Sequence, residues 1–448
     1  MPPGRPQWQT HRVNGSINAA IIALVLSLGT AQAASAPATK AGLSGEWRGY
    51  WTRAGDTLAV TLHVQPDSLP GRYAATFDSD RLRVIGIPLS SVEVQGCCDV
   101  TMTLRGDRTT SVFTGTVRGD SLSGVFHEGK DEGRFAYSRV PDAPSPLEER
   151  AITFSSGTTK LAGSLLLPTT GSSLPAVVFL HGSGAEGRWA SRFLATQFAR
   201  HGVAALIIDK RGVGQSAGDW RTATPEDLAE DGAAAVASLT HEARINPRRI
   251  GIHGHSQGGT LAPLVAARSG HVAFVIASAA SGLPTDSTEI YSVLNSVYPS
   301  AHTGADSASA RAYVSELVDV AYHGRPRQRL DALVAASRDR PWFFEPPAPD
   351  NQYWVFSRLF ASYQPLTWWA KVRVPVLLIY GAEDQRVPAA ESSARIAATL
   401  RQAGHHDVTV RILPGADHTF RLRPGPSGWP DTAPGYMPAL LDWLALRR

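Results

Sequence analysis

Five short runs of this chain are apolar almost throughout: Ala176–Leu180, Ala204–Ile208, Ile250–His253, Phe274–Ser278 and Val376–Tyr380. A strand with one face in water alternates apolar and polar residues, so unbroken runs of this length read as strands buried on both faces. Helical patterns lie between them, and strands joined by helices imply a parallel sheet. Thr224-Pro225-Glu226-Asp227 supplies one helix start: Thr as the cap, Pro in the first turn, and two acids at the positive end of the helix. Tyr436–Leu446 reads as the closing helix. Residues 150–448 therefore read as one α/β domain.

One stretch breaks that rhythm. Residues 284–366 hold no buried-strand run. They carry helical patterns such as Ala308–Ala321 and the aromatics Trp342, Phe343, Phe344, Tyr353, Trp354 and Phe356. Connections in compact α/β folds are usually about 2–6 residues, so this insertion is expected to be a helical lid over a small or medium pocket.

The chain ahead of residue 150 has a different texture. From 42 to 140, short segments alternate with period two and are broken by Gly, Asp and Pro. Thr57–Val64, Arg72–Phe77, Asp99–Leu104, Ser111–Val117 and Arg134–Arg139 are the clearest. Such spacing predicts an antiparallel β-barrel or sandwich. Trp47, Tyr50 and Trp51 at its start read as core and rim aromatics rather than a ligand mouth. Residues 141–149, rich in proline around Val140-Pro141-Asp142-Ala143-Pro144-Ser145-Pro146, read as a linker.

The first 33 residues have the form of a secretory signal. Arg5, His11 and Arg12 precede the apolar run Ala19–Leu28, and Ala31-Gln32-Ala33 offers small residues for cleavage after Ala33. The run is too short to cross about 30 Å of hydrocarbon comfortably. A periplasmic or secreted protein with no stable membrane insertion after cleavage is expected. A net charge of +4 with no dense Lys/Arg block gives no sign of a nucleic-acid partner. The two cysteines, Cys97 and Cys98, are adjacent, so they build no disulfide framework and leave open a neighbouring-residue disulfide or two free thiols.

The chemistry centres on Gly254-His255-Ser256-Gln257-Gly258. A serine flanked by glycines is a weak signal alone. Here a buried-strand run ends at His253, and Gly258-Gly259-Thr260-Leu261-Ala262 opens a helix. A strand–turn–helix of small residues lets a serine oxygen stand clear at a helix N-terminus as a nucleophile. His181-Gly182-Ser183-Gly184 follows an earlier apolar run. Two backbone N–H groups must meet a developing oxyanion, and Gln257 and Ser183 are the candidates. Asp384 follows the run Val376–Tyr380, at a strand end, and is preferred to Glu383, which is expected to face solvent. Of 14 histidines, His418 is placed best, after Val408–Leu413 and before the last helix. His255 reads as a packing or pocket residue, and His405 and His406 as a surface turn. Asp209-Lys210-Arg211-Gly212-Val213-Gly214-Gln215-Ser216 reads as an Asp–Arg pairing beneath the site.

These residues together resemble the α/β-hydrolase superfamily, closest to its dienelactone-hydrolase and feruloyl/cinnamoyl-esterase-like branch. There is also similarity to the catalytic domain of prolyl-oligopeptidase-type enzymes. The resemblance implies Ser256, Asp384 and His418 as a catalytic triad, with Ser183 and Gln257 as oxyanion donors, and no metal or organic cofactor. The peptidase members usually carry a large β-propeller, and about 100 residues cannot form one, a departure that leaves the N-terminal β domain without a family. The leading expectation is a carboxylic-ester hydrolase acting on a small-molecule ester. The same triad would serve a peptidase or amidase. A thioesterase or acyltransferase fits less well outside the cytoplasm, and a silent binding protein would leave a complete triad unexplained. Neither the natural ester nor the oligomeric state is written in the sequence.

Overall fold

The period-two segments of the N-terminal part close into a ring. The computed structural model describes residues 42–106, 109–141, 144–296 and 306–447, and the signal expected at 1–33 lies outside them. The strands are β1 (Gly45–Arg53), β2 (Asp56–Pro66), β3 (Arg72–Ser79), β4 (Val84–Pro88) and β5 (Ser91–Gln95). They continue with β6 (Asp99–Arg105), β7 (Thr110–Arg118), β8 (Ser121–Glu128) and β9 (Asp131–Val140). Their order is β2-β1-β9-β8-β7-β6-β5-β3-β4, and a further β2–β3 pairing makes a closed barrel of eight strands with β4 on its flank. Of the two β architectures expected, the barrel is the one formed. Closure removes the unpaired edges that an open sheet would expose.

Alternation sends one side of each strand inward. Trp47, Trp51, Phe77, Phe113, Phe126 and Phe135 are all buried, whereas Tyr50, between the two tryptophans, is exposed. The Trp51 ring lies 4.9 Å from Phe113 and 5.4 Å from Phe77, so the barrel holds a packed aromatic core rather than a ligand cavity. Cys97 and Cys98, in the turn between β5 and β6, are joined as a disulfide. This unit also takes in Pro424–Asp431, expected above within the α/β domain at 150–448. Trp429 is buried in the barrel's core with Arg53 over its ring. Ser427 donates to Asp56 at 2.6 Å, and Arg81 is paired with both Asp56 and Asp431.

The second unit begins at Pro146. Its strands are β10 (Leu147–Ser156), β11 (Thr159–Pro168), β12 (Leu174–Leu180), β13 (Ala204–Ile208), β14 (Ile245–His255), β15 (Val272–Ser278), β16 (Val376–Gly381) and β17 (Val408–Leu413). They form one sheet in the order β10-β11-β13-β12-β14-β15-β16-β17. The β10–β11 and β11–β13 pairs are antiparallel and the others parallel. Residues 147–149, expected in the linker, belong to β10, where Leu147 pairs with Pro168.

Every residue of β12 and β13 is buried, as unbroken apolar runs require. Alternate residues feed two cores. Ala176, Val178 and Leu180 face one that includes α2 (Pro225–Leu239), α3 (Gln257–Arg268) and α9 (Ala389–Gln402). Val177 and Phe179 face another, built with α1 (Arg192–Arg200) and α10 (Tyr436–Ala445). The expected start of α2 is a reciprocal cap: the Asp227 N–H donates to Thr224 Oγ1 at 3.1 Å, and the Thr224 N–H to Asp227 Oδ2 at 2.9 Å. His405 is buried rather than lying in a surface turn, while His406 is exposed.

Between β15 and β16 the chain makes α4 (Thr285–Ser296), α5 (Ser307–His323), α6 (Gln328–Ser337), α7 (Tyr353–Phe360) and α8 (Pro365–Trp369). The insertion is helical, as expected. Its aromatics serve largely as its own core: Trp342, Phe344 and Tyr353 are buried, with Tyr313 edge-on to Phe344 at 5.2 Å.

Candidate active site

Ser256 sits between the end of β14 and the first turn of α3, with φ 56° and ψ −117°. A β-carbon in that region of backbone space is strained, and the surroundings enforce it. The Ser256 N–H donates to Ser278 O and the Thr260 N–H to Ser256 O, both at 2.9 Å. A β-carbon on Gly254 would come within 2.3 Å of the Gly258 carbonyl carbon. One on Gly258 would come within 2.7 Å of the carbonyl oxygens of Leu180 and His181. The glycines are therefore required by close backbone approach, and they let the serine oxygen stand free of its own turn.

Asp384 and His418 reach the serine from two separate loops. Asp384 lies just past β16 and is buried, whereas Glu383 is exposed. Asp384 Oδ1 accepts the N–H groups of Arg386 and Val387 at 2.7 and 2.9 Å. Its Oδ2 accepts from His418 Nδ1 at 2.8 Å. That bond puts the histidine proton on Nδ1 and leaves Nε2, 3.0 Å from Ser256 Oγ, as an acceptor for the hydroxyl. The loop carrying His418 is tied by Asp417 Oδ1, which accepts from Thr419 N and Oγ1 and from Arg421 N at 2.8–2.9 Å. His255, set aside above as a packing residue, donates from Nε2 to His418 O at 2.9 Å and packs on the His418 ring.

The stretch after β12 lies against the same end of the sheet. Glu186 Oε2 accepts the Gly182 N–H at 2.6 Å, and burial pushes this carboxyl upward despite Lys210 and that N–H. His181 donates from Nε2 to Ile208 O at 2.7 Å, and burial pulls its pKa down to about 4, so it stays neutral. Among the described residues, the Ser183 and Gln257 N–H groups have no acceptor within the protein. That is the condition an oxyanion donor must meet.

Asp209 and Arg211 do not pair with each other. Burial alone would raise the Asp209 carboxyl, but Arg188, at 2.6 Å, and two backbone N–H groups outweigh it and hold it low. Arg211 instead forks onto both oxygens of Asp231 at 2.7 Å. Each charge found a partner that adjacency in sequence could not indicate.

Two contributors escaped the sequence reading. Tyr291 of α4 donates to Asp384 O at 2.9 Å. Lys210 is 3% exposed and donates to Gly182 O, Gly184 O and Gln257 Oε1 at 2.8–3.0 Å. A lysine between two other charges at the end of an apolar strand was the available signal for it. A small cleft is lined by His181, Lys210, Gln257, Leu161, Leu228 and Leu261.

The match to a known family agrees with this architecture. The family described as serine aminopeptidase, S33, matches residues 171–422, more than half of the chain. The quorum-quenching protein AidA of Acinetobacter baumannii is 33% identical over 140 residues, 31% of this chain and 44% of that protein. The chain thus matches less than half the length of this curated relative. Among solved structures, a hypothetical protein of Pseudomonas aeruginosa has TM-score 0.45 at 21% identity, covering 68% of this chain and 96% of that one. An esterase of Pyrococcus furiosus has TM-score 0.43 at 18% identity, covering 69% and 93%.

Proposed function

This chain belongs to the serine aminopeptidase, S33, family of α/β hydrolases, and from that premise we propose that it is an exported serine hydrolase of carboxylic esters. The observation that carries the reading is the continuous relay from Asp384 through His418 to Ser256, at 2.8 and 3.0 Å. His418 takes the Ser256 proton as the oxygen attacks the ester carbonyl. Asp384 holds the imidazole tautomer and stabilises its positive charge. The Ser183 and Gln257 N–H groups receive the oxyanion. The alcohol leaves with the proton from His418, and water activated by the same histidine releases the acid. Export rests on the N-terminal apolar run and its Ala31-Gln32-Ala33 site.

The test is turnover of p-nitrophenyl acetate by the mature protein and by Ser256→Ala. Loss of the nucleophile should lower kcat by on the order of 10⁵–10⁶ with little change in melting temperature. Equal rates would remove Ser256 from the chemistry. A mature chain starting at Ala34 marks export; retention of residues 1–33 argues against it. The family description favours a second reading, in which the same relay cleaves amides. Aminoacyl-anilide turnover exceeding ester turnover would put that reading first.

A further inference from the structure

The Lys210 ammonium has three N–H donors and three oxygen acceptors: Gly182 O at 2.8 Å, Gly184 O at 3.0 Å and Gln257 Oε1 at 3.0 Å. The match is complete, and only the protonated amine can make it. Gly182 O belongs to the peptide unit whose nitrogen is that of Ser183. In a trans peptide the C=O and N–H point in opposite directions, and the chain has no cis bonds among the described residues. A cation holding the oxygen therefore turns the Ser183 N–H away from itself and polarises it. Through the Gln257 side chain, the same ammonium holds the residue that carries the other free N–H. One buried charge thus grips both backbone segments of the oxyanion site, which come from different strands.

We infer that Lys210 is a positioning residue for the oxyanion hole, clamping the Gly182–Ser183 peptide and the Gln257 side chain so that both N–H donors are preset toward the reacting carbonyl. This rests on the serine-hydrolase reading above. The residue touches no reacting atom; it acts through its two neighbours.

The groups facing Lys210 are Glu186 from the loop after β12, Asp231 from α2, and His181. Asp231 is engaged by Arg211, and Asp209, next in sequence, by Arg188. The Trp220 ring lies 5.5 Å from Nζ. Burial pulls the ammonium down from the ordinary lysine value to about 8, with Glu186 and Asp231 opposing the shift. The clamp is therefore largely protonated when the pH is well below 8. As pH rises through about 8 the amine keeps two protons for three acceptors, and one carbonyl faces a lone pair.

The experiment measures kcat and KM for p-nitrophenyl acetate from pH 6 to 10 in the wild type, Lys210→Met, Gln257→Leu and Ser256→Ala. Loss of one oxyanion donor costs about 10²–10³ in kcat; loosening two should cost about 10–100-fold in Lys210→Met, with KM within about threefold. Wild-type kcat should fall above about pH 8, and that limb should vanish in Lys210→Met. Gln257→Leu keeps its backbone N–H but removes one acceptor, so its limb should move to lower pH. A kcat within about threefold of wild type in Lys210→Met, a loss carried in KM, or a retained limb would overturn the inference. If Lys210→Met does not fold, a flat wild-type profile or an unmoved limb in Gln257→Leu overturns it alone. Ser256→Ala separates the two levels. If it is inactive while Lys210→Met resembles the wild type, only the clamp fails; if it is as active as the wild type, the hydrolase reading itself fails.

Discussion

Ser256 and His418 meet at 3.0 Å, but the two arms that bring them together are built differently. The serine arm is main chain packed on main chain. Gly254 rests on Gly258, Gly258 on the carbonyls of Leu180 and His181, and Ser256 is held in its positive-φ turn between Ser278 and Thr260. The histidine arm shares some of that backbone packing, with Asp417 O pressed against Gly381, but side-chain hydrogen bonds aim the ring. Asp384 orients the ring, Asp417 ties its loop, and His255 holds its carbonyl. Steric exclusion among backbones leaves no alternative conformer to populate, so the first arm is fixed as soon as the sheet forms. Hydrogen bonds contribute only about 0.5–1.5 kcal/mol net each, so the second arm is held by several modest terms, any one of which can be lost without unfolding the protein.

Three substitutions should break or sharpen that contrast. The largest effect is expected from Gly254→Ala. Its methyl meets backbone at 2.3 Å, a clash no rotamer relieves. Destabilisation should exceed the roughly 1–3 kcal/mol typical of overpacking, with esterase activity lost in parallel. Thermal unfolding reads the first and p-nitrophenyl acetate turnover the second; a wild-type melting temperature would erase the distinction between the arms. Next comes Asp384→Asn. An amide in place of Oδ2 presents donors to His418 Nδ1 and favours the wrong tautomer, so kcat should fall by on the order of 10⁴ while the fold persists. Unfolding comparable to that of Gly254→Ala would show the histidine arm to be as rigid as the serine arm. The smallest effect is expected from Asp417→Ala, which removes three local bonds from one oxygen. About tenfold in kcat, from a base that wanders rather than one that is absent, would fit the 10²–10⁴ that general base catalysis supplies in full. An unchanged rate would mean that Asp384 and His255 hold the ring unaided.

What the sequence disclosed follows the same division. β12 and β13 were readable because burial on both faces leaves an unbroken apolar run. The serine turn was readable because close backbone approach demands glycine at fixed offsets. Side-chain partners across the fold were not. Arg188 reaches Asp209 from 21 residues upstream, and Asp231 meets Arg211 from a helix. Lys210 looked like one charge among three, and its burial appears only when the loop after β12 closes over it. The start of β10 was hidden because Pro144 and Pro146 lend their composition to the residues after them. Gly425-Pro426-Ser427-Gly428-Trp429-Pro430 carries every mark of a loop and none of a core residue, yet Trp429 is 3% exposed.

Trp429 bears on the order in which this protein can be made. The barrel strands run from residue 45 to 140 and leave the ribosome first, but one tryptophan of their core is encoded almost 300 residues later. Domains usually fold as units, N-terminal first, during synthesis. Here the barrel strands emerge with a vacancy in their core, and a segment encoded after the strands of the second unit fills it. Completion of the barrel core thus waits until the strands of the second unit have been made. A fragment cut at the linker would keep every barrel strand and still lack a piece of the interior.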